Sequence, residues 1–154
     1  MTLDDLYQEI ILEHYRSPKN RAAALEGEDV HVHHSNPLCG DELDLRIRVE
    51  DNLIGGLVFD GEGCSISQAS ASVMTETVKG RTLNDALDLT EQFRLMMHGQ
   101  PPSRLDDLGD GVVFEGVAKF PVRVKCALLG WMALRDALET YQAGEHTHTV
   151  EHET

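Results

Sequence analysis

Three cysteines stand in settings that suit metal–thiolate chemistry: Asn36-Pro37-Leu38-Cys39-Gly40-Asp41, Gly63-Cys64-Ser65-Ile66-Ser67 and Arg123-Val124-Lys125-Cys126. Each reads as a loop or a helix start rather than part of an apolar stripe, and Asp41 follows Cys39 by two residues. If they converge in space, three thiolates and one carboxylate make a tetrahedral donor set for a soft or borderline ion. The competing reading is an inert thiol, since free cysteine is among the most buried residue types. Glycines beside Cys39 and Cys64 tilt the balance, because they open backbone space that a packed thiol does not need. An odd number of cysteines, in a chain that reads as having no secretory signal, argues against a disulfide framework, and there is no Cys-x-x-Cys pair.

Other chemistry-bearing residues are weaker candidates. Arg123 and Lys125 could offset the negative charge of a thiolate-bound ion, or simply be solvated cations ahead of a helix. His31, His33 and His34 have ligating side chains, but alternation puts His31 and His33 on one side of an extended segment, where surface exposure is the simpler reading. His146, His148 and His152 lie in a polar tail that could bind metal without fixing its geometry. The sequence has no Walker loop, dinucleotide glycine fingerprint, Gly-x-Ser-x-Gly elbow or His-Glu-x-x-His.

These residues must be positioned by the elements that periodicity predicts. Leu3, Leu6, Tyr7, Ile10, Ile11 and His14 follow helical spacing behind a Thr2 cap, and Ser17-Pro18 ends that helix. His31–His34 reads as a short edge strand. Leu43, Leu45, Ile47 and Val49 alternate with Asp44, Arg46, Arg48 and Glu50 as a half-buried strand. Asp51-Asn52 turns it into a partner strand over 53–59. Gly61-Glu62-Gly63 then delivers Cys64 to a helix carrying Ile66, Ala69, Val73 and Thr77, closed by Lys79-Gly80. Thr82 and Asp85 begin another helix with Leu83, Leu87, Phe93 and Met97. A short segment follows over 105–114. After Pro121 a final helix bears Leu128, Trp131, Leu134 and Leu138. This places Cys64 and Cys126 near helix N-termini, where ionisation is favoured. The order predicts an α+β fold: a small antiparallel sheet with helices packed on one face.

At 154 residues, the expectation is one domain over 1–143 and a disordered polar tail over 144–154. The net charge of −14, with 27 acidic and 13 basic residues, repels nucleic acid and suits a basic surface on another protein. No apolar run has the length of a membrane helix. Met1-Thr2-Leu3-Asp4-Asp5 is acidic where a secretory leader is basic, so a cytoplasmic protein with reduced thiols is expected.

Asn-Pro-x-Cys-Gly-Asp at 36–41, Gly-Cys-Ser-Ile-Ser at 63–67 and the lysine–cysteine pair at 125–126 resemble the U-type iron–sulfur cluster assembly family. Leu6-Tyr7, Ile10-Ile11-Leu12-Glu13-His14-Tyr15, Pro18 and Asn20 resemble its SufU branch. The likeness runs from about Leu3 to Tyr141 and implies that family's fold. Scaffold members of the family carry a histidine where this chain has Lys125, and SufU-like members carry an insertion matching 99–121. The SufU resemblance implies a zinc site made by Cys39, Asp41, Cys64 and Cys126. It also implies sulfur transfer, with Cys39 accepting persulfide sulfur from a SufS-type cysteine desulfurase and passing it to the SUF assembly scaffold. Two alternatives stay open: a scaffold that transiently holds iron or an iron–sulfur cluster on the same cysteines, and a zinc-stabilised adaptor that activates the desulfurase.

Overall fold

The computed structural model describes residues 2–37 and 40–152. Helix α1 (Leu3–Arg16) begins with a capping box: Asp5 N–H donates to Thr2 Oγ1, and Thr2 N–H returns a bond to Asp5 Oδ2. Its apolar stripe is only partly used. Ile11 and His14 are buried, whereas Leu3 is 62% exposed and Leu6 45%.

Strands β1 (Val30–Asn36), β2 (Asp41–Glu50) and β3 (Leu53–Glu62) form an antiparallel meander. In β1, Val30, Val32, His34 and Asn36 are buried while the intervening residues are half exposed, so one face of the strand meets the core. Leu43, Leu45 and Ile47 do the same in β2. Asp51 and Asn52 join β2 to β3 with φ values of 52° and 64°, the left-handed pair that a tight hairpin requires.

Helix α2 (Ser65–Val78) follows β3, and Thr82 caps α3 (Leu83–Met97) by accepting from Asp85 N–H. A 3-10 segment over Leu105–Lys119 is broken at Gly109, whose φ of 55° and ψ of −129° suit glycine. Helix α4 (Pro121–Gln142) has proline in its first turn. The core beneath these helices centres on Phe93, which stacks on Trp131 at 4.6 Å and meets Phe114 edge-on at 6.0 Å.

Two expectations are corrected. Residues 147–151, assigned to a structureless tail, form β4 (Thr147–Glu151), which pairs in parallel with β1. The sheet is therefore mixed, with order β3-β2-β1-β4, and β1 lies inside it rather than at an edge. The physical reason is a polar latch. His148 Nδ1 reaches Asp136 Oδ1 at 2.6 Å, His152 Nε2 meets buried His34 Nδ1 at 2.8 Å, and His34 Nε2 meets Asp136 Oδ2 at 2.8 Å. No helix among the described residues is long and apolar enough to cross a membrane.

Candidate metal centre

The spacing of α2 and α4 decides where the cysteines sit. A Cβ on Gly130 would lie 3.1 Å from Ala71 Cα, so the two helix backbones approach closely at that point. Ser70 Oγ reinforces the contact by donating to Ala127 O at 2.6 Å. This contact holds the first residues of α2 beside the second turn of α4, and with them Cys64 and Cys126.

Asp41 completes the cluster from the start of β2. One side-chain atom from each of Asp41, Cys64 and Cys126 lies within 4.8 Å of the other two. Asp41 is 4% exposed, and its Oδ1 accepts the Cys64 backbone N–H at 3.0 Å. Cys64 is the N-cap of α2, and its side chain does not cap the helix; Asp41 supplies an acceptor there instead, a favourable place for a carboxylate. Ser67 Oγ donates to Cys64 O at 3.0 Å and lies 3.9 Å from Cys64 Sγ as a weak acceptor for the thiol. Gly63 makes this convergence possible: a Cβ there would sit 2.4 Å from Ser67 Oγ and 2.6 Å from Asp41 Oδ1.

Cys126 differs from the expectation. It is the sixth residue of α4, 4% exposed, and its Sγ lies 3.6 Å from Val122 O. Burial first, and then the neighbouring Cys64 and Asp41, push its thiol well above the ordinary cysteine range. Left to themselves these groups disfavour charge, so a thiolate at Cys126 needs a cation beside it. The donor chemistry fits zinc, whose ligands at about 2.0–2.3 Å lie close to one another around a small tetrahedron. Two sulfurs and a carboxylate oxygen within 4.8 Å require only a modest closure to reach that arrangement.

Cys39, the remaining sequence candidate, lies outside the described residues. The flanking Gly40 has a φ of 73° and open space where a Cβ would be, and its N–H donates to Asn36 O at 3.0 Å. Arg123 and Lys125 are exposed, and among the described residues neither forms an ion pair. Arg123 lines a groove of about 510 Å³ with Ser65 and Phe120. Lys125 lines a separate cleft with Asn36, Met132 and His152.

The strand histidines go elsewhere. His31 Nε2 and His33 Nδ1 both meet Asp44 Oδ1, at 2.7 and 3.2 Å. Partial burial opposes it, yet these bonds hold the Asp44 carboxyl below its usual range. Sequence reasoning did not find the role of Gly63 in leaving room for Asp41 Oδ1 and Ser67 Oγ around Cys64. The one available signal was the glycine just before Cys64.

Residues 6–127 match the NifU-like N-terminal domain family. The chain is 39% identical over 142 residues to a Bacillus subtilis protein named zinc-dependent sulfurtransferase SufU, covering 92% of this chain and 95% of that protein. It is 36% identical over 144 residues to the Streptococcus pyogenes iron–sulfur cluster assembly scaffold protein IscU, covering 94% and 89% respectively. A Fervidobacterium islandicum crystal structure, titled as a candidate iron–sulfur cluster assembly scaffold for the SUF system, superposes with a TM-score of 0.81 at 34% identity. That match covers 89% of this chain and 99% of the other.

Proposed function

The chain belongs to the NifU-like N-terminal domain family of iron–sulfur cluster assembly proteins, and on that premise we propose that it is a zinc-dependent sulfur carrier. The observation that carries this reading is the convergence of Asp41, Cys64 and Cys126, a thiol-rich donor set matching the ligand types zinc takes. Cys39 completes the set and is the sulfur acceptor. Zinc bound there keeps its coordinating thiols deprotonated at neutral pH. The donor is a SufS-type cysteine desulfurase carrying a persulfide on its own cysteine, and the reaction runs in the reducing cytoplasm.

In the transfer, the Cys39 thiolate attacks the terminal sulfur of the donor persulfide. A new S–S bond forms on Cys39, the donor's S–S bond breaks, and the donor cysteine leaves as a thiolate. No net oxidation occurs. Asp41, Cys64 and Cys126 hold the site, and Gly40, next to the acceptor, takes a left-handed φ that glycine adopts without strain. Arg123 and Lys125, exposed three and one residues before Cys126, offset the site's negative charge toward the partner. The product persulfide then passes to the SUF assembly scaffold.

Incubation with desulfurase and cysteine, followed by peptide mass spectrometry, tests the assignment. The expected result is one added sulfur on the Cys39 peptide and none in Cys39→Ala. Sulfur located on Cys64 instead would overturn it. The name of the Streptococcus relative supports a second reading, a scaffold on the same donor set. Anaerobic reconstitution followed by visible absorbance separates the two, since a carrier retains no cluster.

A further inference from the structure

A second group of potential ligands lies away from the thiols, where α1, α2 and the 3-10 segment meet. His14 from α1, Glu76 from α2 and Asp110 from the segment each place one ligand atom within 4.8 Å of the other two. His14 is 6% exposed, and its Nε2 lies 2.9 Å from Asp110 Oδ2. Glu76 and Asp110 are exposed at the mouth of a cavity of about 360 Å³ that all three residues line. Among the described residues no lysine or arginine pairs with either carboxylate, and Lys19, which lines the same cavity, forms no ion pair with them. Glu13 lines the cavity as well, so three carboxylates share a pocket in which the His14 imidazole is the one basic group bonded to Glu76 or Asp110 among the described residues, in a chain of net charge −14.

The imidazole is oriented as ligating histidines are. Its Nδ1 lies 2.8 Å from Ser72 Oγ, which also accepts Lys19 N–H at 2.7 Å. Thr75 Oγ1 donates to Ser72 O at 2.8 Å and lies 3.3 Å from Lys19 O, and Asn20 Nδ2 donates to Thr75 Oγ1 at 3.1 Å, fastening this turn to α2. A partner on one ring nitrogen fixes the ring and directs the other toward a metal. Asp110 follows Gly109, whose kinked backbone turns the chain at that point, and Thr77 Oγ1, which donates to Val73 O at 2.8 Å, lies 3.5 Å from Leu108 O.

We propose that His14, Glu76 and Asp110 form a second metal site for a divalent first-row transition ion of the Mn²⁺ or Fe²⁺ type. One imidazole nitrogen and two carboxylates suit that class, and the open cavity leaves positions for water. The ion takes the place of the hydrogen between His14 Nε2 and Asp110. Nδ1–H then donates to Ser72 Oγ, whose two lone pairs accept it together with Lys19 N–H. Because the ligands come from three elements, the bound ion also ties the 105–119 segment to α1 and α2. This site stands independently of the sulfur-carrier reading.

Mn²⁺ is the probe, because it prefers oxygen and nitrogen donors to thiolates. It is titrated into the full chain while electron paramagnetic resonance follows the free ion and amide NMR follows paramagnetic broadening. The expected result is one ion per chain, with the earliest broadening around residues 14, 76 and 110. Glu76→Gln and Asp110→Asn change exposed side chains, so the fold survives, and each weakens binding by roughly tenfold or more. Broadening centred on 41, 64 and 126, broadening spread evenly over the acidic surface, or unchanged affinity in both variants would overturn the proposal.

Discussion

Gly63→Ala adds a single methyl group at the point where the metal centre is most crowded. Gly63 does not have the left-handed backbone that only glycine tolerates easily, so the effect is steric rather than conformational. The new Cβ would stand 2.4 Å from Ser67 Oγ and 2.6 Å from Asp41 Oδ1, and both atoms must move. Each is the end of a short side chain already committed to a bond. Ser67 Oγ donates to Cys64 O at 3.0 Å, and Asp41 Oδ1 accepts Cys64 N–H at 3.0 Å. Loss of a neutral bond costs about 1 kcal/mol and loss of one to a charged group about 1.5–3 kcal/mol. The variant should therefore be destabilised by about 2–4 kcal/mol in urea unfolding. Zinc affinity should fall with it, because the displaced carboxylate is one of the three converging ligands. Adding Ser67→Ala removes the closer obstruction, so the double variant should lose less than the two single losses added together. If Gly63→Ala unfolds within about 0.5 kcal/mol of wild type and holds zinc equally well, Asp41 is not fixed by this contact and the argument fails.

Other consequences follow from the core and the latch. Phe93→Ala removes a ring stacked on Trp131 and edge-on to Phe114, and should cost about 3–5 kcal/mol by denaturant unfolding. Burial holds His34 and His152 below the ordinary histidine value of 6.5, so the unfolded chain binds more protons than the folded one just below that pH. The stability these residues contribute is complete above about pH 6.5 and falls as pH drops through their lowered values. The charged groups around them are Asp136, Arg135 and His148. Urea midpoints at pH 7.5 and 5.5 should differ more for wild type than for His152→Gln, and an equal difference would remove the latch from the account.

Much of this protein was legible along the chain because the signals are local. Thr2 with Asp5, the alternation from Leu43 to Val49, Asp51-Asn52, and Thr82 with Asp85 specify a cap, a strand, a turn and a second cap through neighbours a few residues apart. The cysteine settings likewise carried the family likeness that the match over residues 6–127 bears out. Tertiary structure decided what depends on distant partners. Residues 147–151 become a strand because His148 and His152 find Asp136 and His34, and nothing in a polar tail announces such partners. Asp41 meets Cys64 because Gly63 leaves room, and Cys126 joins them because Gly130 lets α2 and α4 approach. His14 reads as one more helix-face residue until the fold sets it between Ser72 and Asp110, which lie 58 and 96 positions away in the chain. Sequence periodicity records which face of an element is buried; it does not record which side chain from another element arrives there.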